Sequence, residues 1–166
     1  MYGEKRSMNN EKRDCSGPIL VFTLDEPHYA LLLSTVERVV RSVTIMPLPK
    51  APGIVMGVIN VQGRIIPVVN ARSRFRLPER APHVEDRFII AKTPTRLIAF
   101  AVDSVIGIRE YPEGELEVAD RNLLLAEYLE GIAKTPDGLI LIYDLDAFFS
   151  LAEEQKLAES LSEGLE

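Results

Sequence analysis

Residues 53–76 read GIVMGVINVQGRIIPVVNARSRFR. Two apolar, β-branched runs, Val55 to Val61 and Arg64 to Asn70, flank Gln62-Gly63, a connection of the length that joins hairpin strands. Gly63 can take the positive φ of such a turn, and Gly57 allows a bend or a close backbone approach. Asn60 can hydrogen-bond neighbouring backbone and hold the turn. Pro67 has no N–H to give a ladder, so the second run fits an edge strand or a bulge. Taken alone, the stretch is an ordinary hairpin.

Upstream, residues 45–52 carry Pro47, Pro49 and Pro52. Proline fixes φ and removes a donor, so this segment reads as a loop. Before it, ILVFTL (19–24) is a strand ended by Asp25-Glu26-Pro27, and His28 to Leu33 is its hairpin partner. Ser34 to Arg38 fits a strand or a helical turn, since Val36, Val39 and Val40 suit both. Residues 1–17 are polar and are expected to be disordered.

Downstream, Arg72 to Pro82 is a charged connection, and Arg87–Ala91, Arg96–Val102 and Val105–Glu110 are short strands. Glu113 to Glu130 is more polar and is expected to hold a loop and a short helical turn. Tyr128–Thr135 and Gly138–Tyr143 form a closing hairpin across Thr135-Pro136-Asp137-Gly138, strong turn chemistry. Asp144 opens a short helical segment with Leu145, Phe148, Phe149 and Leu151 as its apolar stripe. The acidic residues from 153 are expected to be the helix end and a fraying tail. Many short strands without intervening helices make an all-β fold, a barrel or a sandwich.

The 166 residues are 46% hydrophobic, with aromatics sparse at 7% and no Trp, so the core is expected to be mostly Val, Ile and Leu. A net charge of −6 argues against nucleic acid and against an anionic membrane as general partners. The single cysteine, Cys15, can form neither an internal disulfide nor a cysteine-based zinc site. The opening residues lack an apolar signal core and no apolar run is long enough to span a bilayer, so a cytoplasmic location is expected.

No phosphate loop, dinucleotide fingerprint or nucleophile elbow is present, so no catalytic residue, cofactor or metal is assigned. His28 and His83 each stand beside a proline and read as solvated turn residues rather than general bases. Asp144 and Asp146 read as helix caps, and Asp103 as a turn residue. A hydrolase built on paired carboxylates would require a closeness in space that the order of residues does not show. Arg72, Arg74, Arg76 and Arg80 are either a solvated loop balancing Glu79 and Glu85 or a docking patch for an acidic partner.

The segment from Gly57 resembles the GVxNLRGxIxPVxDLR signature of the CheW-like domain family. The likeness continues through LVFTLDEPHYALLLSTVERVV, MPLPKAPGIVMGVIN, LIAFAVDSVIGIRE and YLEGIAKTPDGLILIYDLDAFF, about residues 18 to 152. The resemblance implies two intertwined five-stranded SH3-like β-barrels with a small shared core and a boundary near 80–86. It also implies a non-enzymatic adaptor that binds a chemoreceptor tip in a groove and the regulatory domain of a CheA-type histidine kinase, recruited to membrane receptor arrays. Carried over, the receptor groove includes Val36, Val39, Gly57, Val58, Asn60, Gln62 and Gly63, although Val36 and Val39 equally suit a core. Kinase contacts fall on Pro47, Pro49, Pro52 and Arg64. Two positions depart from the family pattern: Gln62 stands where arginine is usual, and Asn70 where aspartate is usual. If those charges normally pair, both have gone together, and Gln62→Arg is expected to improve coupling. A divergent scaffold for another kinase pathway is the alternative.

Overall fold

The computed structural model describes residues 17–111, 116–117, 128–136 and 138–164. The tail expected over residues 1–17 therefore lies outside the described residues except at Gly17, which already belongs to a strand. Most of the loop expected over 113–130 lies outside them too.

Among the described residues, eleven strands form two sheets. β1 (Gly17–Thr23) and β2 (His28–Leu32) begin the first. After a 3₁₀ turn at Leu33–Thr35, β3 (Val36–Arg41), β4 (Val55–Val61), β5 (Arg64–Val69), β6 (Arg87–Lys92) and β7 (Leu97–Val102) build the second. The chain then returns to the first sheet with β8 (Ser104–Tyr111), β9 (Leu116–Glu117), β10 (Leu129–Thr135) and β11 (Gly138–Tyr143). The orders are β8-β1-β2-β11-β10-β9 and β3-β6-β7-β5-β4. A short helix α1 (Ala71–Arg74) follows β5, and α2 (Leu151–Gly164) ends the described chain.

The all-β reading and the strand runs agree with this architecture, which adds a two-residue sixth strand, β9, to the first sheet. Ser34–Arg38 divides between the 3₁₀ turn and β3. The chain crosses between sheets at Leu33–Thr35 and at Asp103, and residues 80–86 lie within the run that builds the second sheet.

β1 and β6 read as continuous apolar runs because both of their faces are buried. In β1, Leu20 and Phe22 face a core shared by the two sheets, while Ile19 and Val21 face a cluster inside the first sheet. In β6, Ile89 and Ala91 face the shared core, while Phe88 and Ile90 face a cluster inside the second sheet. The shared core is the largest of the three clusters, not a small one. The few aromatics concentrate in it. Phe75 stacks on Tyr143 at 3.7 Å between ring centroids, with Phe22, Tyr29 and Phe148 around them.

Pro67 lies in β5, an inner strand of the sheet order, but on the part of it that β7 does not yet flank, so it has the open side that an edge position provides and lies outside the bulge between Val55 and Gly57. Its cross-strand partner Val58 directs both its N–H and its carbonyl to Met46, at 2.8 Å each. Val58–Pro67 is thus a non-hydrogen-bonded pair, and β4 asks Pro67 for no donor. The ladder of β5 with β7 begins only at Val68. The same Met46–Val58 bridge ties the chain leaving β3 to β4, joining the two edges of the second sheet.

The short C-terminal helix is present, but it starts after a separate 3₁₀ turn rather than at Asp144. Asp144 caps the 3₁₀ turn at Leu145–Ala147, as read from the sequence, and accepts from the Asp146 N–H. The helix proper starts after Ser150, whose Oγ accepts from the Glu153 N–H while Glu153 accepts from the Ser150 N–H. This reciprocal capping box sets the start of α2.

Candidate protein-interaction surface

The β4–β5 turn takes φ of 51° at Gln62 and 84° at Gly63, the paired positive values of a type I′ hairpin turn. Asn60 Oδ1 accepts from the Gly63 N–H at 2.9 Å, as its position before the turn suggests. A Cβ on Gly63 would meet nothing within 4 Å. Gly57 is different in kind: a Cβ there would collide with the Met46 carbonyl oxygen, so the missing side chain is what lets Met46 bridge to Val58.

Two side-chain contacts join the end of this hairpin to β3. Arg38 Nη1 donates to Gln62 Oε1 at 3.1 Å. Arg64 donates both terminal nitrogens to Glu37, at 3.0 and 2.7 Å. That bidentate bond outweighs the small desolvation of Glu37 and holds its carboxyl below the ordinary range. The register of β3 on β6 shifts between Val36 and Arg38, leaving Glu37 as the extra residue of a bulge. Bulges re-aim side chains, and this one presents Glu37 to Arg64.

The candidates therefore separate. Val39, Asn60, Gln62, Gly63 and Arg64 come together on or beside one exposed end of the second sheet. Val36 packs against the shared core and is half-buried. Val58 is 2% exposed and lies in that core, and Gly57 is covered by Met46, so neither offers a side chain to a partner. Pro47 and Pro49 are exposed, whereas Pro52 is buried and its carbonyl accepts from Val55 at the start of β4. Glu37 and Arg38 escaped the sequence reading, because their partners lie 27 and 24 residues away and adjacent opposite charges carry no local signal.

One expectation is overturned, the pairing of positions 62 and 70. Gln62 and Asn70 flank opposite ends of β5, about 20 Å apart for a six-residue strand, so residues there do not pair. Asn70 instead caps α1, accepting from the Ser73 N–H at 3.1 Å. Gln62 Oε1 accepts from Arg38, so an arginine at 62 would lie beside that guanidinium, and receptor-dependent kinase stimulation by Gln62→Arg is the measurement that decides whether it improves coupling.

The basic run is neither a solvated loop nor a docking patch, because three of its members are tied to carboxylates. Arg72, 8% exposed, reaches Asp25 at 2.9 Å and Asp103 at 2.6 Å. Arg80 bonds Asp86 at 2.7 Å and Asp103 at 2.5 Å, and Arg74 bonds Glu153 of α2 at 2.6 Å. Burial pushes the Asp103 carboxyl up, but the bonds from Arg72, Arg80 and the Asp25 N–H outweigh it and hold the group below its ordinary value. His83 accepts the Glu85 N–H within its own turn, and His28 opens β2. Among the described residues, no group of three or more His, Cys, Asp or Glu side chains is placed to hold a metal. No helix among them is long and apolar enough to cross a membrane.

Residues 18–153 match the family model described as the CheW-like domain. The chain is 32% identical over 128 residues to the chemotaxis protein CheW of Thermotoga maritima, covering 77% of this chain and 84% of that one. It is 25% identical over 146 residues to the CheW of Treponema pallidum, covering 84% and 86%. The crystal structure of the scaffolding protein TtCheW from Thermoanaerobacter tengcongensis superposes with a TM-score of 0.75 at 31% identity, covering 83% of this chain and 95% of that one.

Proposed function

The chain belongs to the CheW-like domain family, and on that premise we propose that it is a non-enzymatic adaptor coupling chemoreceptors to a CheA-type histidine kinase in two-component signalling. The observation that carries this reading is the convergence at the hairpin end. Asn60, Gln62 and Gly63 of the exposed β4–β5 hairpin end are tied to β3, the strand that carries Val39, through the Arg38–Gln62 and Arg64–Glu37 bonds.

A receptor tip would lay an apolar helix face against this region, a mode that needs a preformed and rigid surface. The type I′ turn and the Asn60 bond supply that rigidity. The kinase regulatory domain would dock sheet to sheet, using Arg64 and the loop that exposes Pro47 and Pro49. Each contact must bury at least about 1,200 Å² in total to be stable. The adaptor would act in the cytoplasm, brought to the membrane by the receptors.

The divergent-scaffold reading rests on positions 62 and 70. Asn70 does a local capping job, so its change bears little on partners. Gln62 remains, on the candidate surface itself. Reconstituted membranes carrying receptor and kinase, with and without this chain, test the proposal. Receptor-dependent kinase phosphorylation is expected to rise when the chain is added. No rise with a folded chain would favour the divergent scaffold.

A further inference from the structure

The chain is acidic overall, at −6, yet one end of the second sheet is locally cationic. Arg38, Arg64 and Lys92 surround a single carboxylate, Glu37. Arg64 takes both oxygens of that carboxylate. Arg38 is left with its Nε 3.9 Å from Glu37, too far for a hydrogen bond, and with a neutral acceptor, Gln62. Lys92 is exposed and forms no ion pair with the described residues. The strands that carry these groups also expose apolar side chains: Val39, next to Arg38 on β3, is 38% exposed, and Ile65, next to Arg64 on β5, is 36% exposed.

A partner that covers this surface must desolvate Arg38. A guanidinium taken out of water with one amide oxygen to bond, and a carboxylate 3.9 Å away whose two oxygens already accept from Arg64, is costly, and a carboxylate from the partner lowers that cost. Arg38 is half-exposed and keeps Nη2 uncommitted, so it can accept a second contact without leaving Gln62. We infer that the Arg38–Lys92 end of the second sheet docks an acidic, partly apolar segment of a partner protein, whose carboxylate bonds Arg38 while its apolar residues cover Val39 and Ile65. The inference rests on the adaptor reading and adds the charge of the partner surface. Glutamine at 62 is then the element that leaves Arg38 available, because an acidic residue there would pair with it internally.

Two variants test this, Arg38→Glu and the near-isosteric Gln62→Glu, each confirmed folded by circular dichroism. Binding is measured for the full chain against a CheA-type regulatory domain, a receptor-tip fragment and a synthetic peptide of alternating Glu and Leu, at low and high salt. The expected result is a loss of about 10-fold or more for at least one protein partner with either variant at low salt, shrinking at high salt. If the wild-type chain binds its partners and both variants bind equally well, the inference is overturned while the adaptor reading stands. If neither partner binds the wild type, the adaptor reading fails and the peptide decides the patch alone. Binding lost in the variants then upholds the patch, and binding absent or unchanged overturns it. Self-association that vanishes in Arg38→Glu would make the occupant a second copy and also overturn the inference. Should Arg38→Glu fail to fold, Gln62→Glu carries the comparison.

Discussion

At Gly57 a φ of 149° and the Met46 carbonyl together leave no room for a side chain, whereas Gly63 at 84° faces open space. The two signature glycines therefore fail differently. Gly57→Ala must push Met46 off the edge of β4 and is expected to cost about 2–4 kcal/mol. Gly63→Ala pays only the left-handed backbone penalty, about 1 kcal/mol. Urea unfolding midpoints of the two variants check this, and equal losses would contradict the close-approach argument. Asn60 and Gly63 were legible in the sequence because a type I′ turn has its own local chemistry. Val58 was not, because alternation along a strand says which residues share a face and not whether that face meets solvent or a second sheet.

At the scale of elements, α2 does more than close the chain. Leu157 is fully buried in the shared core beside Leu48, and Ser160 Oγ donates to the Lys50 carbonyl at 2.7 Å. Glu153 and Glu154 reach Arg74 and Arg96. The helix thus holds down the proline loop that leads into β4. Leu157→Ala is expected to cost about 2–5 kcal/mol. It should also speed hydrogen exchange at the Ala51 amide, which bonds the Leu48 carbonyl at 3.3 Å. Unchanged exchange there would mean that the loop is ordered by itself. The strands of this fold were readable from β-branched runs and turn residues. The start of α2 was not, because Asp144 read as its opening residue until the Ser150–Glu153 capping box is seen.

For the molecule as a whole, one charged network spans both sheets. Asp25 lies in the β1–β2 turn, Asp103 at the crossing from β7 to β8, and Arg72 after β5. Asp103 titrates below its ordinary value when folded, so its contribution is complete above the unfolded carboxylate range and is lost as pH falls below about 4. Asp103→Asn should lower stability at neutral pH by about 2–4 kcal/mol, because Arg72 is left buried with one partner fewer. It should also flatten the loss of stability that the wild type shows as pH falls below about 4. Equal acid slopes in the two proteins would remove Asp103 from that role. The four-arginine run gave no hint of this network, since its carboxylate partners come from elements that only the topology brings together. The central claim concerns what the joined sheets are for. Isothermal titration of the full chain with the regulatory domain of a CheA-type kinase tests it most directly. The account predicts saturable one-to-one binding that Leu157→Ala weakens by loosening the loop bearing Pro47 and Pro49, and a folded chain with no measurable binding would contradict it.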